Sequence, residues 1–260
     1  MEPIVLRHAK NYRDIGGIKT TSGKILRKCM LIRGTALSKL TEKDVIRLKH
    51  EYHLRTIIDL RTRKEASEKP DKQIEGVSYH LMPVFDEAVI GISHEKRVKS
   101  IKSLVALPSM ELLYENMVNP ENLPNITAVL KKILLLPAEE FSVAFHCSAG
   151  KDRTGVIAAL LLSFLGVDRN DVIDDYLYTN KGRRIKANFA YIGSVILKGN
   201  RSFARKVKNY ILAEEVYIQA SLKSIEKTYG SLEKYFEKEL SFSDEEVRQI
   251  KDKFLEDPTE

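Results

Sequence analysis

Phe141-Ser142-Val143-Ala144-Phe145-His146-Cys147-Ser148-Ala149-Gly150-Lys151-Asp152-Arg153-Thr154-Gly155 is the stretch that decides the reading of this chain. Phe141 to Phe145 is short and mostly apolar, with β-branched and aromatic residues, which predicts a buried strand. Thr154 to Leu165 (TGVIAALLLSFL) is longer and rich in Ala and Leu, which predicts a buried helix. The loop between them ends at a helix N-terminus, where unpaired N–H groups and the helix dipole favour an anion. A thiol there ionises more easily than a free one. Arg153, six residues after Cys147, offers a planar, permanently charged fork that matches phosphate oxygens. One loop thus supplies a thiolate nucleophile, a ring of backbone donors and a guanidinium clamp. Hydrolysis of a phosphate ester through a cysteinyl-phosphate needs these parts.

Outward from this loop, Lys24–Leu26, Met30–Ile32, Arg55–Leu60 and Val77–Met82 read as further strands. Ser38–His50 reads as a helix opened by a Thr41/Asp44 capping pair, and Asp168–Asn180 as another. Strands separated by helices predict an α/β fold, a mostly parallel central sheet flanked by helices with additional helices beyond it. Active sites in such sheets gather at the carboxyl ends of the strands. Asp59, Asp86 and Cys147 all fall at such ends. The chain is read as one domain over 1–260. About 87–125 is an expected insertion near the site mouth, with a helix over Met110–Val118. Residues 181–208 are rich in Lys and Arg and broken at Gly199-Asn200. They read as a solvated helical face, the other reading being a helical lid or membrane-touching segment. Tyr217–Lys227 and Leu232–Leu240 are read as helices, and Ser243 with Glu246 as a capping box opening Asp244–Leu255.

The chain has 260 residues, with 43 Lys and Arg against 36 Asp and Glu, for a net charge of +7. A positive surface speeds encounter with anionic substrates. No zinc-ligand spacing and no aromatic RNA-binding pattern accompanies the charge, so nucleic acid is not an expected partner, and neither metal nor cofactor is expected. Two cysteines, Cys29 and Cys147, do not make a disulfide framework. Cys29 reads as a small buried hydrophobe, and a protective disulfide with Cys147 is the minor alternative. No run has transmembrane length and the first residues lack a signal-type apolar core, so the cytoplasm is the expected location, with non-classical export as the other option.

His146-Cys147-Ser148-Ala149-Gly150-Lys151-Asp152-Arg153-Thr154-Gly155 resembles the signature loop of cysteine-dependent tyrosine phosphatases. Asn11-Tyr12-Arg13-Asp14-Ile15-Gly16-Gly17 is similar to the NFRDLGG motif of the bacterial branch of that family. Leu31-Ile32-Arg33-Gly34, Ile57–Thr62, His80–Asp86, Asp175–Asn180 and Tyr229-Gly230-Ser231 extend the likeness over about residues 11–240. Gly34 departs from it, since such sequences more often carry Ser there.

The residues and the resemblance together assign roles. Cys147 is the nucleophile. Arg153 and the backbone of Ser148, Ala149, Gly150, Lys151, Asp152 and Arg153 hold the phosphoryl group. Thr154 serves the sulfur as leaving group, and His146 orients the loop or simply ends the strand. The leaving oxygen needs a general acid. The resemblance places it at Asp86 first and Asp152 second. Asp59 is expected to pair with a nearby loop or with Arg61, and Arg13 with Asp14. Lys151 matches a lysine with which lipid-directed members of the superfamily meet a second phosphate; the bland alternative is pairing with Asp152. The expected activity is phosphotyrosine hydrolysis, extending to phosphoserine, phosphothreonine and phosphoinositides. An inositol-phosphate or phosphoinositide phosphatase with incidental protein activity is the alternative, and a non-catalytic phosphate-binding module the third reading. Expected partners are phosphorylated proteins or peptides and phosphoinositides, with peripheral membrane contact and no transmembrane segment.

Overall fold

Neighbouring residues on the central strands send their side chains into two separate apolar clusters. Leu31, Ile58, Val143 and Phe145 join one, while Ile32, Ile57 and Ala144 join the other. This period-two alternation is what a sheet covered on both faces requires. The computed structural model describes residues 1–85 and 109–258. Its strands are β1 (Glu2–Pro3), β2 (Arg13–Asp14), β3 (Ile25–Leu26), β4 (Leu31–Thr35), β5 (Thr56–Asp59), β6 (Ser78–Leu81), β7 (Val143–Cys147) and β8 (Leu255–Glu256). Six of them form one sheet in the order β1-β2-β4-β7-β5-β6. β4, β7, β5 and β6 run parallel, and β1 and β2 add an antiparallel edge. β3 and β8 pair separately.

The helices are α1 (Glu42–His50), α2 (Arg63–Glu68), α3 (Met110–Met117), α4 (Leu123–Leu134), α5 (Asp152–Phe164), α6 (Arg169–Tyr178), α7 (Arg184–Lys198), α8 (Arg201–Ile211), α9 (Glu215–Tyr229), α10 (Leu232–Tyr235) and α11 (Asp244–Phe254). The expected α/β architecture is therefore present. α1 begins with the Thr41/Asp44 capping box and buries Leu48 against the smaller cluster. α5 is apolar nearly all round and almost wholly buried in the larger one, which is why it shows no amphipathic pattern. The capping box at Ser243 and Glu246 opens α11.

Asp86 and residues 87–108 of the expected insertion lie outside the described residues. The rest of that segment joins the core: α3 buries Met110, Leu113, Tyr114 and Met117. The basic segment forms α7 and α8. Gly199 ends α7 at φ 62, a conformation glycine adopts freely, and the Asn200 side chain caps Phe203 N at 3.0 Å. Among the described residues no helix is long and apolar enough to cross a membrane.

Candidate active site

The loop from Cys147 to Asp152 leaves the end of β7 and enters α5, and its path is set by where its carbonyls are tied. Arg183 Nη2 donates to Ala149 O at 2.5 Å, and Asn11 Nδ2 to Gly150 O at 2.8 Å. In a trans peptide the N–H points opposite to the C=O, so these two ties turn the Gly150 and Lys151 N–H groups away from Arg183 and Asn11. Among the described residues, the amides of Ser148, Ala149, Gly150 and Lys151 have no protein acceptor. Gly150 sits at φ 63, and a Cβ there would lie 2.4 Å from the Gly34 carbonyl oxygen. A Cβ on Gly34 would in turn lie 2.3 Å from the Tyr12 ring. The Gly34 departure from the family pattern thus has a packing reason here: Tyr12 occupies the space a serine would need.

Cys147 is buried, and burial pushes its thiol up. The Arg153 charge, the Thr154 hydroxyl and the Thr154 backbone N–H outweigh this, and the net shift is downward. Thr154 Oγ1 is itself buried and has no protein nitrogen or oxygen as a hydrogen-bond partner among the described residues. Arg153 is gripped end-on: Nη1 donates to Glu65 Oε2 at 2.6 Å and Nη2 to Oε1 at 2.9 Å. Ser148 Oγ donates to the same Oε1 at 2.8 Å. Glu65 also accepts from Thr62 N at 3.0 Å as the far half of the α2 capping box. Burial works to raise the Glu65 carboxyl, but Arg153 and these donors hold it down at about 2. A fork held end-on keeps its Nε edge for another oxyanion.

Lys151 and Asp152 form the other wall. Asp152 Oδ1 accepts from Tyr114 Oη at 2.6 Å, and Lys151 Nζ lies 3.3 Å away. The ammonium also donates to Tyr210 O at 2.7 Å and Leu212 O at 3.1 Å. Only 2% of Lys151 is exposed, and burial lowers its pKa despite Asp152. The sequence left open a cation offered to a second phosphate and one paired with Asp152. All three ammonium donors face protein oxygens, because α8 returns its last carbonyls to this spot. Pairing with Asp152, the bland reading, is what the structure shows.

Two buried ion clusters brace the loop from behind. Asp175 receives Arg13 Nε at 2.7 Å and also pairs with Arg33. The expected Arg13–Asp14 pair is absent because adjacent strand residues point to opposite faces. Asp14 instead accepts from Gly16 N at 2.8 Å and Cys29 N at 2.7 Å. Arg33, buried beside Arg13, is lowered to about 10 and stays charged at neutral pH. The second cluster confirms the Asp59–Arg61 pair, with Arg61 Nη2 at 2.6 Å from Asp59 and 3.0 Å from Asp71. His146 Nε2 lies 2.8 Å from Asp71, and burial, which lowers its pKa, is outweighed by Asp71 and Asp59. His146 thus anchors the end of β7 and points away from the thiol's chemistry. Asp59, Asp71 and His146 bring metal-ligand atoms within 4.8 Å of one another, but the Arg61 guanidinium already supplies the cation at that spot.

Glu65, Asp71, Asp175 and Arg183 carry much of this geometry and escaped the sequence reading. Thr62 with Glu65 has the spacing of a capping box and was a readable signal. Asp175 opens the Asp175–Asn180 stretch that carries part of the resemblance, though no role was read for it; nothing local marks Asp71 or Arg183.

A tyrosine phosphatase family profile matches residues 4–256. The chain belongs to the tyrosine phosphatase family. Its members hydrolyse phosphoric monoesters, and so the chain is a phosphoric monoester hydrolase. The triple specificity protein phosphatase PtpB of Mycobacterium tuberculosis is 26% identical over 256 residues, covering 87% of this chain and 90% of PtpB. A putative tyrosine-protein phosphatase of Cupriavidus necator is 24% identical, covering 94% and 85%. Among solved structures, PTPMT1 in complex with PI(5)P aligns at TM-score 0.34 and 10% identity, over 77% of this chain and 93% of that one. TpbA of P. aeruginosa in complex with pTyr aligns at 0.33 and 13%, over 78% and 90%.

Proposed function

We propose that this phosphatase hydrolyses phosphotyrosine through a cysteinyl-phosphate on Cys147, and that phosphoserine, phosphothreonine and phosphoinositides are further substrates. The observation that carries the reading is a thiol lowered by Arg153 and Thr154, at the foot of a loop whose amides have no protein acceptor among the described residues. The equatorial phosphoryl oxygens take those amides and the free Nε edge of Arg153. The Cys147 thiolate attacks phosphorus while the bond to the leaving oxygen breaks, and a carboxylic acid hands that oxygen a proton. Water then attacks phosphorus, the S–P bond breaks, and the departing thiolate takes the Thr154 hydroxyl bond. Inorganic phosphate leaves, and the water's proton returns to a carboxylate.

Asp86 and Asp152 compete for the acid role. Tyr114 and Lys151 both stabilise Asp152 as an anion, which suits it to steering water in the second step. That arrangement favours Asp86 as the proton donor. The direct test is parallel turnover of a phosphotyrosine peptide, a phosphoserine peptide and phosphoinositides, each with and without chelator. Phosphotyrosine turnover indifferent to chelator is expected. Turnover of inositides alone would replace this reading with the lipid-phosphatase one, and tight phosphate binding with no turnover would replace it with a binding module.

A further inference from the structure

The stripe Ile185, Phe189, Ile192 and Ile196 runs along α7 at spacings of four, three and four residues, on one side of the helix. These side chains are between 52% and 77% exposed, and neighbouring Leu197 reaches 78%. The opposite side of α7, at Ala187, is buried, as is Ala204 of the adjoining α8. The stripe is therefore a second apolar face, turned outward. Residues 181–208 hold nine Lys and Arg and no Asp or Glu. The chain as a whole carries +7, so the residues outside this hairpin sum to −2 (+7 less +9). Positive charge is concentrated where apolar surface is exposed. On the helix, Arg184 and Lys186 fall to either side of Ile185, about 100° away in each direction.

Both stems of this hairpin are fastened to the signature loop. Arg183, just before α7, holds Ala149 O, and Lys151 holds the Tyr210 and Leu212 carbonyls at the end of α8. Asn180 and Ala213 close the base with bonds of 2.7 and 2.8 Å. A solvated basic helix needs no such stripe, and packing two copies stripe to stripe would bring together the Arg184 and Lys186 that flank Ile185 in each. An anionic surface with an apolar interior satisfies both features: the stripe enters the acyl boundary, and the long basic side chains reach lipid phosphates.

We infer that the α7–α8 hairpin is a docking surface for an anionic lipid bilayer, holding the catalytic loop beside the membrane. This goes beyond the proposed activity and is tested without turnover. The chain contains no Trp, so Phe189→Trp makes a sole reporter on the stripe. Its emission should shift to the blue with vesicles of phosphatidylcholine and phosphatidylserine but not with phosphatidylcholine alone, and salt should reverse the shift. In co-sedimentation, the double variant Phe189→Ser/Ile196→Ser should bind the mixed vesicles about tenfold or more weakly than wild type, while turnover of a soluble aryl phosphate stays unchanged. No blue shift, or sedimentation indifferent to the double variant, would overturn the inference. So would light scattering that shows a wild-type dimer made monomeric by the double variant, since the stripe would then be a protein interface. An enzyme active on aryl phosphate that ignores vesicles removes this inference alone; a vesicle-bound protein inactive on every phosphomonoester removes the catalytic reading alone.

Discussion

The two cysteines sit toward opposite ends of the parallel sheet and differ in the wrong direction for a rule based on exposure. Cys29, just before β4, is half-buried, yet its thiol is raised, first by burial and then by Asp14 and Glu2. Cys147, at the far end of β7, is more deeply buried, yet its thiol is lowered. Leu31 faces Val143 and Thr35 faces Cys147, so four strand residues, about 13 Å, separate the two levels. That separation rules out the disulfide considered from sequence. The difference teaches that reactivity here follows the charges and donors aimed at the sulfur. Acidic side chains lie near Cys29, and a guanidinium with two Thr154 donors lies near Cys147.

The contrast breaks most completely if the favoured sulfur is removed. Cys147→Ser should reduce turnover by roughly 10⁴-fold or more while phosphate binding survives, measured by initial rates and calorimetry. Cys29→Ser should leave the rate near wild type, and a comparable loss there would erase the distinction. Next in size is Arg153→Lys, which keeps the charge but loses the fork that both Glu65 and an oxyanion require. A fall of about 10²–10³-fold in kcat is expected, and an unchanged rate would show that guanidinium geometry is not used.

Asp86→Asn should slow phenyl or alkyl phosphates by about 10²-fold and activated aryl phosphates far less, because good leaving groups need no proton. If Asp152→Asn shows that leaving-group dependence and Asp86→Asn does not, the acid assignment is reversed. The smallest effect is expected for Glu65→Gln, about tenfold in kcat/KM, since Arg153 then loses its partner but keeps its place behind the thiol. The same pair sets a pH term in stability. Glu65 is depressed to about 2, so its contribution is present above the unfolded value of about 4.3 and is lost as pH falls through about 2. Thermal melts of wild type and Glu65→Gln should therefore converge as the pH drops through that window.

Much of this was legible because it is local. The strand-loop-helix around Cys147, the capping boxes at Thr41 and Ser243, and the break at Gly199-Asn200 each depend on residues within a few positions of one another. What escaped depends on distance along the chain. Arg153 finds Glu65 across 88 positions, and Arg33 finds Asp175 across 142. Lys151 shows the limit well. Its charge is plain in the sequence, but the carbonyls that absorb it arrive 59 and 61 residues later. The exposed stripe on α7 was hidden for a related reason: apolar spacing announces a face and leaves open whether that face turns inward or outward.

The central claim is that the loop, and not exposure, makes Cys147 the reactive sulfur. With only two cysteines in the chain, one sample contains its own control. Iodoacetamide alkylation followed peptide by peptide by mass spectrometry across pH yields a thiol titration for each. The account predicts that Cys147 alkylates with a midpoint below the ordinary thiol value of about 8.5, that Cys29 alkylates above it, and that inorganic phosphate protects Cys147 alone. A Cys147 midpoint at or above that of Cys29 would contradict it.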